Sequence, residues 1–261
     1  MNLRKTLPVI MLCVITQPFL YGRVNERLFV DSGTDSVHFM KRQGSKTSEM
    51  VGVVIPSAMI TYGLISLGDN GIRKIDYRVH HSLEQNNRFW NTQIDTYVQF
   101  APAVAAYTMK LCKIESAHCL FDMTVLYGLS NLLAGGVAYG TKIAAGRERP
   151  DKSANNSFPS GHTETAFVAA EFLHQEYKNK SVWISIGGYS AATFVGIARV
   201  CNNRHWVSDV VAGAGIGILS TKVVYWVYPY IRKTSGDKPL HTFVFPGWSN
   251  GNLSFNLSYV F

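Results

Sequence analysis

Apolar stretches of helical length are the feature that most constrains how this chain can fold. They occupy residues 51–67, 97–111, 120–145, 163–177, 182–200 and 207–231. A helix needs about 20 consecutive apolar residues to span a membrane, and only the third, fifth and sixth stretches approach that length. The pattern predicts an all-α bundle of about six helices that is transmembrane, with helices buried in a soluble bundle as the alternative.

The composition favours the membrane interpretation. Charged residues make up only 16% of the chain, whereas soluble domains average about 25%, and 47% of the residues are hydrophobic. The formal net charge of +8 suits an anionic lipid surface or a phosphorylated substrate. A basic chain can also bind nucleic acid, but no nucleic-acid-binding motif accompanies the charge. We therefore expect a membrane setting, no nucleic-acid partner and no obligate protein partner.

Small residues recur inside several of the apolar stretches. Examples are the glycines within residues 128–140 and the group Gly213, Gly215 and Gly217. Small side chains allow helix backbones to approach closely in a bundle. We therefore expect close helix contacts at these positions.

The remaining regions differ from the bundle in composition. Residues 1–22 carry basic residues ahead of a short apolar run, which is typical of a secretory signal or an anchoring segment. Residues 23–50 are polar and are predicted to be flexible, and the helical bundle is assigned to residues 51–232. In residues 233–261 apolar and polar residues alternate, as in LSFNLSYVF, which predicts a C-terminal tail with one or two short strands.

Three short polar stretches interrupt the helical pattern: KIAAGRERP at residues 142–150, PSGH at 159–162 and RVCNNRHWVSD at 199–209. The first closes the third predicted helix, the second opens the fourth, and the last joins the fifth to the sixth. All three are therefore expected to meet at one end of the bundle.

These stretches contain the groups that phosphoryl transfer requires. Charge on the oxygens around phosphorus calls for fixed cations and backbone donors, and the reaction needs a nucleophile and an acid for the leaving oxygen. Lys142, Arg149 and Arg199 can supply the positive charge. His162 and His205 can supply proton transfer and a nucleophilic nitrogen.

Asp209 lies four residues after His205. On a helix this spacing places both on one face, where the carboxylate can hold the imidazole in one tautomer. Taken alone, the spacing is usually a surface pair, and the PSGH stretch alone is compatible with an ordinary turn before a helix. The order and spacing of all three stretches favour a functional site. Arg147, Lys152 and Arg204 are further cations that are either solvated or meet an anionic substrate head.

The three stretches resemble the signature of the type-2 phosphatidic acid phosphatase superfamily, which is Lys-x6-Arg-Pro, Pro-Ser-Gly-His and Ser-Arg-x5-His-x3-Asp. The matching positions are Lys142, Arg149, Pro150, Pro159, Ser160, Gly161, His162, Arg199, His205 and Asp209. The one departure is Ala198, where the family usually has serine. The resemblance covers roughly residues 52–230.

The resemblance implies a mechanism. His205 would be the nucleophile that forms a phosphohistidine, and Asp209 would orient it. His162 would be the general acid for the leaving group and would then activate water. The implied phosphate-binding groups are Lys142, Arg149, Ser160, the backbone N–H of Gly161, and Arg199. The resemblance implies no metal and no other cofactor.

The short spacing between Arg149 and Pro159 looks more like the bacterial lipid phosphatases of this superfamily than its soluble acid phosphatases. The resemblance therefore implies hydrolysis of a phosphate monoester of a membrane lipid. Lipid A, phosphatidic acid and phosphatidylglycerol phosphate are the candidates, with lipid A slightly favoured. The alternatives are an undecaprenyl diphosphate phosphatase, a soluble periplasmic acid phosphatase of broad specificity, and a lipid phosphotransferase.

Basic residues indicate the orientation of the bundle. At the end opposite the motifs lie Lys110, Lys113, Lys178, Lys180, Arg232 and Lys233. An excess of lysine and arginine marks the cytoplasmic side, so the active end would face the periplasm if the membrane is a bacterial inner membrane. If residues 1–22 direct export and all six helices span the membrane, the active end would instead face the cytoplasm. Either residues 1–22 are not exported, or 51–67 do not span, or the bundle is soluble and exported.

The polar segment 68–95 is rich in aromatic and basic residues. We expect a helix at the membrane interface beside the site, with Phe89 and Trp90 at the level of the lipid headgroups. An ordinary solvated helix is the alternative.

Overall fold

A computed structural model describes residues 46–234, 242–249 and 252–259 of the 261-residue chain. The predictions for residues 1–22 and for most of 23–50 therefore lie outside the described residues. The described helices are α1 Lys46–Ile65, α2 Gly71–Gln85, α3 Ile94–Val98, α4 Ala101–Leu111, α5 Leu120–Ala145, α6 Gly161–Tyr177, α7 Val182–Cys201 and α8 Val207–Thr234.

The all-α prediction is confirmed for the bundle. Each of the six apolar stretches corresponds to one helix: α1, α4, α5, α6, α7 and α8. Helix α2 lies within the polar segment 68–95, and α3 begins at the end of that segment and continues to Val98. Helix α2 begins after Asn70, whose side-chain oxygen accepts from the N–H groups of Ile72 at 2.9 Å and Arg73 at 3.1 Å. This cap satisfies two of the orphan donors at the helix start.

Helices α6 and α8 pack with their backbones in close contact. A Cβ at Gly213 of α8 would lie 2.5 Å from the carbonyl oxygen of Ser160 at the start of α6. Glycine is therefore required there, as the small-residue pattern predicts. The glycines of α5 behave differently, because a Cβ at residues 128, 135, 136 or 140 would meet none of the described atoms within 4 Å. Among the described residues, the expectation of close helix contacts at those four positions is therefore wrong.

The interior of the bundle combines aromatic packing with a buried ion pair. Phe167 of α6, Tyr189 of α7 and Ile218 of α8 belong to one buried apolar cluster. Beside it, the Lys222 ammonium donates to Glu171 Oε1 at 2.8 Å, and the Tyr189 hydroxyl donates to the other carboxylate oxygen. Burying charges is costly unless they are paired and hydrogen-bonded, and this trio links α6, α7 and α8.

Three helices are long and apolar enough to cross a membrane: α5, α7 and residues 207–232 of α8. They are the third, fifth and sixth apolar stretches, as the length argument predicts. Helix α1 supplies only a shorter apolar run, Gly52–Ile65. On α5, Leu132, Tyr139 and Ile143 leave most of their side-chain surface exposed. Span-length helices with exposed apolar faces are those of a membrane protein.

The chain divides into two compact units between Val224 and Tyr225, a boundary that falls inside α8. The second unit contains a β-hairpin formed by β1 Thr242–Ser249 and β2 Asn252–Tyr259. The strands are antiparallel, with Thr242 opposite Tyr259 and Ser249 opposite Asn252. The predicted short strands of the tail are thus present.

Candidate active site

The three polar stretches meet at one end of the bundle. Helix α5 ends at Gly146, which has a left-handed φ of 51° and turns the chain into the loop that leads to α6. The Lys142 ammonium donates back to the carbonyl of Pro159 at 2.5 Å. The backbone N–H of Ser160 donates to the carbonyl of Asp209 at 3.0 Å. These contacts join the end of α5, the start of α6 and the start of α8.

His205 lies in the turn between α7 and α8 with only 3% of its surface exposed. Its Nδ1 is 2.7 Å from the backbone carbonyl of Ser157. Because a carbonyl can only accept, Nδ1 carries the proton and Nε2 keeps its lone pair. Burial lowers the pKa of His205, the cations Arg199 and Lys142 lower it further, and the Asp209 carboxylate opposes them. The imidazole is therefore neutral at neutral pH, as a nucleophile must be.

Asp209 does not form the hydrogen bond to His205 that the sequence pattern suggests. Its Oδ2 is 3.8 Å from His205 Nδ1, which is too long for a hydrogen bond. The same oxygen accepts from the Ser157 hydroxyl at 2.5 Å and from the Trp206 N–H at 3.0 Å. Helix α8 begins only at Val207, so the expectation that His205 and Asp209 share one helix face is wrong. Asp209 instead turns back to cap its own helix.

A buried arginine anchors Asp209 from the other side. The Arg147 guanidinium donates to Asp209 Oδ1 at 2.6 Å and to Asp76 Oδ2 of α2 at 2.7 Å. Asp76 also accepts from the backbone N–H of Ser208 at 3.0 Å, and the guanidinium carbon lies 5.5 Å from the centre of the Trp206 ring. Arg147 is 5% exposed, so both sequence interpretations of this residue, a solvated cation or a headgroup contact, are wrong.

Arg199 is held by a third buried carboxylate. In the last turn of α7, its Nη1 donates to Asp95 Oδ2 at 2.8 Å. Asp95 belongs to the short helix α3, is fully buried, and also accepts from the Asn202 amide at 3.1 Å. The backbone N–H of Trp90 donates to the Cys201 carbonyl at 2.8 Å. The segment 68–95 thus lies against the active end through both of its helices.

His162 lies in the first turn of α6. The first intrahelical bond from this end runs from the Glu164 N–H to the Ser160 carbonyl at 3.0 Å. The N–H groups of Gly161 and His162 precede it and form the positive end of the helix dipole. Burial, with Arg199 next in importance, lowers the pKa of His162 to about 4. A neutral imidazole therefore lies beside helix-end donors and a guanidinium.

The remaining residues predicted to bind phosphate lie beside these groups. Arg149 Nε donates to the Asn156 side chain at 2.9 Å, and Arg149 also depresses the pKa of His162. Ser160 is fully buried, and its hydroxyl shares a hydrogen bond of 2.9 Å with the hydroxyl of Thr163. Gly161 presents its backbone N–H at the helix start.

The sequence interpretation missed Asp76, Asp95 and Ser157. A signal for Asp76 exists, because the apolar stripe of α2 passes through Ile72, Asp76 and Val79, and a charge in such a stripe requires a buried partner. Asp95 and Ser157 lie in polar connecting segments, where the residue types alone give no comparable signal.

The groups assembled at the active end suit the binding of an anion. Three cations, the N–H groups of a helix start and two neutral imidazoles converge at the active end, which suits an anion with a reactive centre. Within residues 46–234, no group of three or more His, Cys, Asp or Glu side chains is arranged to hold a metal ion.

Comparison with known proteins agrees with a site that suits a reactive anion. Residues 123–233 match the family described as the PAP2 superfamily. The chain carries a PAP2 superfamily domain, and the resemblance inferred from the three motifs is confirmed.

This chain spans less than two thirds of the length of two curated relatives. A lipid A 1-phosphatase of Porphyromonas gingivalis is 37% identical over 175 residues, which are 67% of this chain and 37% of that protein. A lipid A 1-phosphatase of Rhizobium etli is 32% identical over 150 residues, 49% of this chain and 58% of that protein. The crystal structure of a transmembrane PAP2-type phosphatidylglycerolphosphate phosphatase from Bacillus subtilis aligns with a TM-score of 0.47 and 24% identity, covering 68% of this chain and 97% of that chain.

Proposed function

We propose that this protein is a phosphatase that removes a phosphate monoester from a membrane lipid through a phosphohistidine at His205. The observation that carries the proposal is the state of His205. It is a buried, neutral imidazole whose Nδ1 proton is fixed on a carbonyl. Its Nε2 lone pair is therefore available for attack on phosphorus.

The first chemical step would form a bond between His205 Nε2 and phosphorus while the bond from phosphorus to the lipid oxygen breaks. Lys142, Arg149 and Arg199 would hold the phosphoryl oxygens together with the Gly161 N–H. Arginine offers two-pronged geometry for such oxygens. Ser160 can join this set when the Thr163 hydroxyl is the donor of their shared bond, because the Ser160 proton is then available to a phosphate oxygen.

His162 would protonate the leaving oxygen and then accept a proton from the water that breaks the phosphohistidine bond. In the free protein its pKa is about 4, which suits the base role. A bound phosphate brings negative charge into the site and raises the pKa of a neighbouring imidazole. That charge would favour the protonated form needed for the acid role.

Asp209 would act as the orienting carboxylate of His205, and the chain's own cations would balance the phosphate charge. We therefore propose that hydrolysis proceeds without a metal ion. The basic residues at the opposite end, including the Lys180 that pairs with Glu115, support a cytoplasmic position for that end. The active end would then face the periplasm from a bacterial inner membrane.

Lipid A is the proposed substrate, with the 1-phosphate as the reacting group. The names of the two relatives from Porphyromonas gingivalis and Rhizobium etli support this choice. The choice among lipids depends on the shape of the pocket rather than on the phosphate-binding groups.

The test is a substrate panel with detergent-purified protein, in buffer with EDTA. Phosphate release would be measured from lipid A, phosphatidic acid, phosphatidylglycerol phosphate, undecaprenyl diphosphate and a soluble aryl phosphate. We expect preference for lipid A, and a loss of at least about 10³-fold in the His205→Ala variant. Equal or faster turnover of the aryl phosphate would refute the lipid phosphatase, and activity that requires added metal would refute metal independence.

A further inference from the structure

Ser157 lies between the two residues that the motif pairs with each other. Its carbonyl accepts from His205 Nδ1 at 2.7 Å, and its hydroxyl donates to Asp209 Oδ2 at 2.5 Å. Its backbone N–H donates to the carbonyl of Arg147 at 2.9 Å. Ser157 is fully buried, so these three bonds are formed away from water and fix its peptide unit.

Three donors bind the Asp209 carboxylate, and the imidazole of His205 is not among them. Its Oδ1 accepts from Arg147 at 2.6 Å, and its Oδ2 accepts from Ser157 and from the Trp206 N–H. The separation of 3.8 Å between Oδ2 and His205 Nδ1 allows a through-space attraction but not a hydrogen bond. The group that directly holds the tautomer of His205 is therefore the Ser157 carbonyl.

We propose that Ser157 is a positioning residue through which Asp209 orients His205. This inference rests on the proposed function and deepens it. The hydroxyl bond to Asp209 holds the Ser157 peptide so that its carbonyl faces Nδ1. When Nε2 bonds to phosphorus the imidazole ring becomes cationic, and the fixed carbonyl dipole stabilises that charge without reorganising. Arg147 in turn donates to Asp209 and so links the loop to α8.

The variant Ser157→Ala removes the hydroxyl and keeps the carbonyl. We expect kcat to fall about 10- to 100-fold, the range for losing a hydrogen bond to a charged group, with KM changed by less than about 3-fold because no substrate contact is lost. The matched control is Ser153→Ala in the same loop. Its hydroxyl donates to Asp151 at 2.6 Å but is exposed, and its kcat should stay within about 2-fold of the wild type.

A double-mutant cycle separates the proposed route from a direct one. If Asp209 acts through Ser157, the double variant Ser157→Ala/Asp209→Asn should have a kcat within about 2-fold of Asp209→Asn alone. If the two effects multiply instead, Asp209 acts on His205 independently and the proposal fails. Wild-type kcat in the folded Ser157→Ala protein would also overturn it. Folding of each variant would be checked by thermal unfolding and gel filtration in the same detergent.

A measurement on the wild-type protein keeps the proposal testable if a variant does not fold. Nitrogen NMR of ¹⁵N-histidine-labelled protein reports the tautomer of each imidazole, with His205→Ala used to assign the signal. We expect the Nδ1–H tautomer of His205 at neutral pH, and the Nε2–H tautomer or an imidazolium would refute the role of the carbonyl. Because this readout needs no substrate, absence of lipid phosphatase activity in the wild type would refute the proposed function separately.

Discussion

Replacing Arg147 by alanine should destabilise this protein far more than replacing an arginine of a surface pair. Arg147 is 5% exposed and pairs with both Asp76 and Asp209, at 2.7 Å and 2.6 Å. The variant would leave two buried carboxylates without their shared cation. An uncompensated buried charge is among the few changes that cost several kcal/mol.

The expected magnitude follows from the burial. Removing one partner of a buried ion pair costs about 3–5 kcal/mol. The control is Arg204→Ala, because Arg204 pairs with Asp151 at a similar distance of 2.9 Å but its side chain is 48% exposed. Exposed pairs contribute about 0–1 kcal/mol. For a domain of 150–250 residues, about 1 kcal/mol corresponds to about 2–4 °C, so Arg147→Ala should lower the Tm by about 6–20 °C and Arg204→Ala by at most about 4 °C.

Thermal unfolding of both variants in one detergent at one pH would provide the comparison. Arg147→Lys adds a test of geometry, because it keeps the charge but not the fork that reaches two carboxylates and the Ser208 hydroxyl at 2.8 Å. We expect its Tm to fall between those of the wild type and Arg147→Ala. Equal Tm values for Arg147→Ala and Arg204→Ala would refute the argument that this buried arginine holds the active end together.

Two further predictions concern the packing and the protonation of the site. Gly213→Ala should reduce both Tm and kcat, because its Cβ would lie 2.5 Å from the Ser160 carbonyl oxygen. The control Gly187→Ala meets none of the described atoms within 4 Å, so it should leave kcat unchanged and should not lower the Tm. Equal effects of the two variants would contradict the contact between α6 and α8. An NMR titration of His162 should give a pKa of about 4, and this pKa should rise by at least about one unit when inorganic phosphate binds. A pKa near the unperturbed value of about 6.5 that does not change with phosphate would exclude a phosphate site around this imidazole.

Much of the fold could be predicted from the sequence because the apolar stretches have the length and period of helices. Helix α5 was expected at residues 120–145 and lies at Leu120–Ala145. Gly213 was expected at a close helix contact and is at one. The glycines of α5 show the limit of the same rule. A small residue permits close approach, but it does not by itself supply a neighbouring helix.

Site residues could be predicted from the sequence where the side chain itself is charged or reactive. Lys142 and His205 stand out because cations and imidazoles in that order suggest phosphate chemistry. Asp95 and Ser157 could not be found in this way, since their roles come from contacts formed only when distant segments fold together. Asp95 meets Arg199 across 104 residues of sequence. His205 and Asp209 do lie near each other, at 3.8 Å, but they do not share a helix face because the helix begins at Val207. Spacing alone does not show where a helix begins.

Trapping the phosphorylated protein would test the central claim most directly. Purified protein would be mixed with lipid A carrying a radiolabelled 1-phosphate, quenched within milliseconds to seconds, and examined for label bound to the chain. The account predicts label that is stable in base and labile in acid, as expected of phosphohistidine, located on the peptide containing His205 and absent from His205→Ala. Rapid phosphate release with no label on the wild-type protein, or with undiminished release by His205→Ala, would contradict it.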